Sequence, residues 1–121
     1  MSSLPTNFNL AERSSRPSRR LAARLLPVAN LTVYECPQSR TCSVACVTVA
    51  NVTASSASLR MFHVIPGEKA GTSNALAYDM PIPAGTMTAF EIGITLTTGD
   101  RLVAYASTAS ALCVMLYGSE A

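Results

Sequence analysis

From residue 28 onward, short runs of β-branched and apolar residues alternate with polar positions, and turn-forming clusters interrupt them every 8 to 12 residues. That spacing belongs to an all-β chain folded as a sandwich or barrel. It predicts seven strands, at 30–35, 41–50, 58–65, 76–80, 86–92, 101–106 and 111–117. The turn Cys36-Pro37-Gln38-Ser39-Arg40, with Pro37 in the second turn position, predicts a hairpin between the first two. In the third strand Leu59, Met61, His63 and Ile65 share one face, while Arg60, Phe62 and Val64 share the other. A polar loop follows at 66–75. The prolines of Pro81-Ile82-Pro83-Ala84-Gly85 end the fourth strand, because proline cannot donate to a central ladder. Thr98-Gly99-Asp100 reads as a tight turn.

The first 27 residues follow another rule. Residues 1–17 are rich in Ser, Pro, Asn and Arg without periodicity, which predicts an extended arm. In 18–26, Leu21 and Leu25 stand four apart, Ser18 can cap a helix and Pro27 can stop one, so two turns of helix are expected there. So short a helix holds only by docking onto something. The expected division is an arm at 1–27 and a β-sandwich domain at 28–121.

Composition narrows the function classes. The 121 residues are 49% hydrophobic but only 13% charged, with no tryptophan. A chain of this length buries roughly two-thirds of its unfolded surface, enough for one stable core. The low charge leaves few groups for acid, base or nucleophile chemistry and disfavours an ordinary enzyme. Frequent Ala, Ser and Thr indicate thin, closely approaching sheets, which suits a subunit stabilised by its neighbours. No apolar stretch approaches the roughly 20 residues of a membrane-spanning helix, and no secretory signal pattern is read at the N-terminus. The sequons at Asn30 and Asn51 carry no weight without secretion.

Charge is divided unevenly. Arg13, Arg16, Arg19, Arg20 and Arg24 face a single Glu12 within 1–27, a net of +4, whereas the remainder sums to −2. A basic arm ahead of an acidic body predicts that the arm meets an acidic surface. Apart from Phe8 the aromatic residues lie in the acidic body, so no basic, aromatic stacking platform for single strands is expected. Phosphate contact through the arm alone would be blind to sequence, and no specific nucleic-acid partner is expected.

His63 is the only imidazole, so a nucleophilic mechanism of the Ser-His or Cys-His kind would have to run through it. Its place beside Met61 and Ile65 predicts a packed, hydrogen-bonded histidine instead. No pair of carboxylates is singled out for glycoside chemistry, and the 66–75 loop lacks the order of a phosphate-binding loop. Cys36, Cys42, Cys46 and Cys113 do not have zinc-site spacing. Without an export signal they read as reduced, semi-buried residues, with pairing of Cys36 and Cys42 across their turn as the alternative. Neither a metal nor a cofactor is expected.

Turn residues and alternation together carry a likeness over about 90 residues, everything beyond the arm. Its landmarks are 36–41 (CPQSRT), 47–51 (VTVAN), 60–66 (RMFHVIP), 78–86 (YDMPIPAGT), 93–100 (GITLTTGD) and 103–107 (VAYAS). In these the chain resembles small virion structural proteins of tailed bacteriophages. The four cysteines depart from that group's pattern. The resemblance implies an antiparallel β-sandwich of jelly-roll type. It implies a capsid decoration, or cement, protein without catalytic activity. Such a protein binds over junctions of major capsid subunits as a dimer or trimer on the capsid exterior, after assembly in the host cytoplasm. Its partners would be the major capsid protein and further copies of itself, with no membrane. On that reading the contact residues are Arg13, Arg16, Arg19, Arg20, Leu21, Arg24, Leu25 and Leu26, with His63 and Tyr34 secondary. A tail, baseplate or fibre-attachment protein is the nearest alternative. A carbohydrate-binding module is the alternative from another class, opposed by the scarcity of aromatic residues for sugar stacking.

Overall fold

The computed structural model describes residues 18–121. Eight strands follow in order: β1 (Arg19–Leu25), β2 (Leu31–Glu35), β3 (Thr41–Asn51), β4 (Ala57–Val64), β5 (Ala75–Ile82), β6 (Met87–Thr97), β7 (Arg101–Ala106) and β8 (Leu112–Glu120). They form two four-stranded sheets, β1-β8-β3-β6 and β2-β7-β4-β5, and every pairing is antiparallel. Each link between successive strands crosses from one sheet to the other, except β4 to β5. That is the eight-stranded jelly roll, the all-β sandwich expected.

The helix expected at 18–26 is not formed; those residues supply β1. A spacing of four satisfies one helical turn and also two strand repeats, so apolar residues four apart do not separate the two structures. Pairing with β8 along the whole segment fixes it as a strand, whereas nine helical residues alone would not be stable. A register shift between Arg20 and Ala22 resets the alternation, so Ala22 packs on the core, Leu26 is completely buried and Leu25 turns outward, 51% exposed. The described end of the expected arm is therefore built into the sandwich.

The hairpin expected across residues 36–40 is also corrected. β2 pairs with β7, and β3 with β6 and β8, so this turn is a corner joining the two sheets. Arg40 N–H bonds Pro37 O at 3.2 Å within it, and Ser39 takes a left-handed φ of 63°. A corner and a hairpin can use the same five residues, and only the strand order distinguishes them. The expected break at Pro81 does not occur either. β5 runs through Pro81 because it is an edge strand, where a missing donor costs no central ladder bond. β6 likewise continues past Gly93, whose φ of +55° lies opposite the register shift between Val44 and Cys46.

The core lies between the sheets. Val44, Val47, Val49, Leu112, Val114 and Leu116 of one sheet meet Val33, Leu59, Met61, Ile82 and Leu102 of the other. Each such side chain contributes about 1.5–3 kcal/mol by leaving water. The small residues allow close approach: a Cβ on Gly118 would lie 1.9 Å from the Ser43 carbonyl oxygen. A second cluster, Phe62, Val64 and Val103, sits on the far face of the second sheet against Ala70, Ala75 and Tyr105.

Candidate interaction surfaces

β4 is buried on both faces, and this decides what His63 can do. Its inner residues Leu59 and Met61 enter the main core and its outer residues Phe62 and Val64 enter the second cluster. His63, at the strand's end, places Nε2 3.2 Å from Asp100 Oδ2. Asp100 is buried and also accepts the Thr97 N–H at 3.1 Å, while its backbone ties β2 to β7 through Cys36 N–H to Asp100 O at 2.9 Å. The histidine is thus hydrogen-bonded at a strand junction, with its side chain 28% exposed. Asn51, buried at the end of β3, spends its amide on the carbonyls of Ser55 and Ile82 at 2.8 and 2.9 Å and accepts from Thr53.

Three surface features remain. On the outer face of the second sheet, Arg60 of β4 makes a two-point contact with Asp79 of β5, at 2.6 and 3.1 Å, and donates to Tyr105 Oη of β7 at 2.8 Å. Its guanidinium stacks over the Tyr78 ring at 3.9 Å. Hydrogen bonding to Asp79 and then to Tyr105 raises the Arg60 pKa, and the same guanidinium lowers that of Asp79. Phe62 lies below, stacked on Tyr105 and edge-on to Tyr78. Tyr78 stays 47% exposed. Three hydrogen bonds and the Tyr78 ring thus hold the guanidinium in one place on this face. Sequence spacing did not signal this group, because only the order β7-β4-β5 brings 60, 78, 79 and 105 together.

At the β1 side, an open cleft of about 380 Å³ lies between the two sheets, lined by Leu21 to Arg24 and Thr32 to Glu35. Arg24 stands opposite the buried Val114 in the β1–β8 register, on the inward side, yet remains exposed in this cleft. Arg19 bridges to Glu120 at 3.0 Å, and Glu120 accepts a hydrogen bond from the Tyr34 hydroxyl. Tyr34 Oη also lies 3.1 Å from Cys42 Sγ, which is 2.9 Å from Cys36 Sγ. Burial, then the Cys42 and Glu120 contacts, push the Tyr34 pKa up. Burial, followed by the Cys42 contact, pushes the Cys36 thiol up to about 12.

Of the contact residues expected from sequence, Arg13 and Arg16 lie outside the described residues. Arg19 is exposed but ion-paired, and Arg20, Arg24 and Leu25 are exposed. Leu21 is half-buried against the core. Leu26 belongs wholly to this chain's own core and has no surface to offer a partner.

The third feature is β6, an 11-residue edge strand of the first sheet. Its inward row Phe90, Ile92 and Ile94 is only partly covered, and Met87 at its start is 61% exposed. Glu91 is its one charged residue. Among the described residues, no group of three or more potential ligands could hold a metal, and no helix is long and apolar enough to cross a membrane.

No family model matches this chain, and no curated protein matches it. Among solved structures, it is similar in fold to a chain in the structure of infectious bursal disease virus Gx strain, with a TM-score of 0.46 and 10% identity. The similarity covers 86% of this chain and 30% of that one, so this chain spans less than a third of its length. The likeness to tailed-bacteriophage proteins therefore has no family match beside it.

Proposed function

We propose that this chain is a structural virion protein that decorates and cements a phage head, binding over junctions between major capsid subunits. The observation that carries this reading is the pair of binding devices around one sheet: a long unpaired edge at β6 and a basic segment leading into β1. Strand addition to β6 would use its free backbone donors and acceptors, with Phe90, Ile92 and Ile94 completing their burial against the added strand. Arg13, Arg16, Arg20 and Arg24 would meet acidic groups of the neighbouring subunit, and exposed Leu25 would supply apolar contact. The resemblance to virion proteins over everything beyond the arm supports the same reading. A jelly roll alone does not decide function, since the fold also serves lectins.

The mechanism is repetition. Contacts of modest strength, multiplied by the symmetry of a shell and by self-association as a dimer or trimer, resist rupture through multivalency. The test is the copy number of this chain in the purified particle relative to its most abundant shell protein. A ratio of one-to-one or a simple fraction such as one-third is expected. A ratio of a few per cent would move the chain to the tail, baseplate or fibre attachment, and absence from particles would overturn the virion reading.

A further inference from the structure

Cys36 follows the last residue of β2, and Cys42 is the second residue of β3. They flank the corner between the sheets, and their sulfurs are 2.9 Å apart, both buried. Unbonded sulfurs are crowded at that separation, while a disulfide needs about 2.0 Å. Two thiolates sharing one zinc, at about 2.3 Å each and a tetrahedral angle, stand about 3.7 Å apart, so this pair is set too close for a shared zinc. We propose that Cys36 and Cys42 are a disulfide site, and that closing it staples the two sheets at the β2–β3 corner. The chemistry is independent of what the chain assembles with.

The other two cysteines set the contrast. Cys46 lies opposite Tyr117 in the β3–β8 register and Cys113 lies opposite Ala50. They are four residues apart along the strands, about 13 Å, too far to bridge without moving the backbone. One defined link and two remaining thiols are therefore expected.

The step balances with a glutathione disulfide as oxidant. One cysteine thiolate attacks a sulfur of the oxidant, forming a mixed disulfide and releasing one glutathione thiolate. The second cysteine, deprotonated, then attacks the protein-side sulfur and releases the second. Two protein thiols become one disulfide, and one glutathione disulfide becomes two glutathione thiols that carry the two protons. Attack requires a thiolate and access. The folded pair has little of either, because both sulfurs are buried and burial opposes ionisation of Cys36. Closure is thus slow in the folded chain and fast when the corner opens or during folding. Once made, the bond is shielded from reductants by the same burial.

The experiment refolds the full chain in glutathione buffers from fully reduced to strongly oxidising, then alkylates it in denaturant and measures intact mass and peptide links. Oxidising buffer should leave two alkylated cysteines and a Cys36–Cys42 link, with a rise in Tm of roughly 5–10 °C. Cys42→Ser should abolish the link. Should that variant fail to fold, the peptide map of the unsubstituted chain decides alone. Four alkylated cysteines after oxidising refolding, a link through Cys46 or Cys113, or a link without a gain in Tm would each overturn the proposal.

Discussion

β1 and β6 are the two edges of one sheet, and they present opposite faces to a partner. β1 has seven residues, three of them arginines, and a register shift, and it places Arg24 on its inward side. These are the devices by which edge strands are kept from pairing with other chains. β6 has eleven residues, one charge, and an irregularity only around Gly93. Its apolar row is left half-covered. The difference teaches that β1 can engage a partner through side-chain charge, whereas β6 can engage one through its backbone. The edges of the second sheet are β2, of five residues, and β5, carrying Pro81 and two register shifts against β4. β6 is the longest and least guarded edge among the described strands.

The comparison breaks first at Leu26. It anchors the end of β1 in the core, with its N–H bonded to Leu112 O at 2.9 Å. Leu26→Ala leaves a cavity beside β8 and should cost about 2–5 kcal/mol in urea unfolding. An effect below about 1 kcal/mol would mean that β1 is not integral to the sandwich and that the segment behaves as a detachable arm. Gly118 comes next. It sits in β8 between Arg19 of β1 and Val44 of β3, and an added Cβ would overlap the Ser43 carbonyl. Gly118→Ala should cost about 1–3 kcal/mol by forcing β3 and β8 apart. A variant as stable as the parent would show that β8 does not approach β3 so closely.

How far the sequence was legible follows from which forces act locally. Alternation and turn chemistry located seven strands, since side-chain period and turn residues are properties of neighbours in the chain. β1 was missed because its four-residue apolar spacing is shared by helix and strand, and because what chooses between them is β8, some ninety residues away. The Cys36–Arg40 corner was misread as a hairpin for the same reason: its partner strands are β7, β6 and β8 rather than each other. For His63 the alternation placed Met61 in the core but not Ile65, which is exposed, and Asp100 as its hydrogen-bond partner was invisible in the sequence. The Arg60, Tyr78, Asp79 and Tyr105 group was not legible, for it exists only across three strands. Leu26 is assigned to a partner along with the rest of the expected arm, whereas β1 carries it into this chain's own core.

The smallest effect on stability carries the sharpest test of the two edges. Ala89 is exposed on β6 opposite Thr48, and Arg20 is exposed on β1 opposite Tyr117. Ala89→Lys adds a strand-edge guard to β6, and Arg20→Glu reverses a charge on β1. Both are surface changes and should leave stability within about 0.5 kcal/mol. Occupancy on particles, measured by co-sedimentation across salt concentrations, should respond differently. Ala89→Lys should reduce it at every salt concentration, because backbone pairing and apolar burial are poorly screened. Arg20→Glu should reduce it mainly at low salt, because exposed charge contacts more than a Debye length apart vanish and near ones weaken as ions are added. If Ala89→Lys binds as the parent does while Arg20→Glu loses binding, association runs through the basic edge alone, and the openness of β6 has no part in holding the shell.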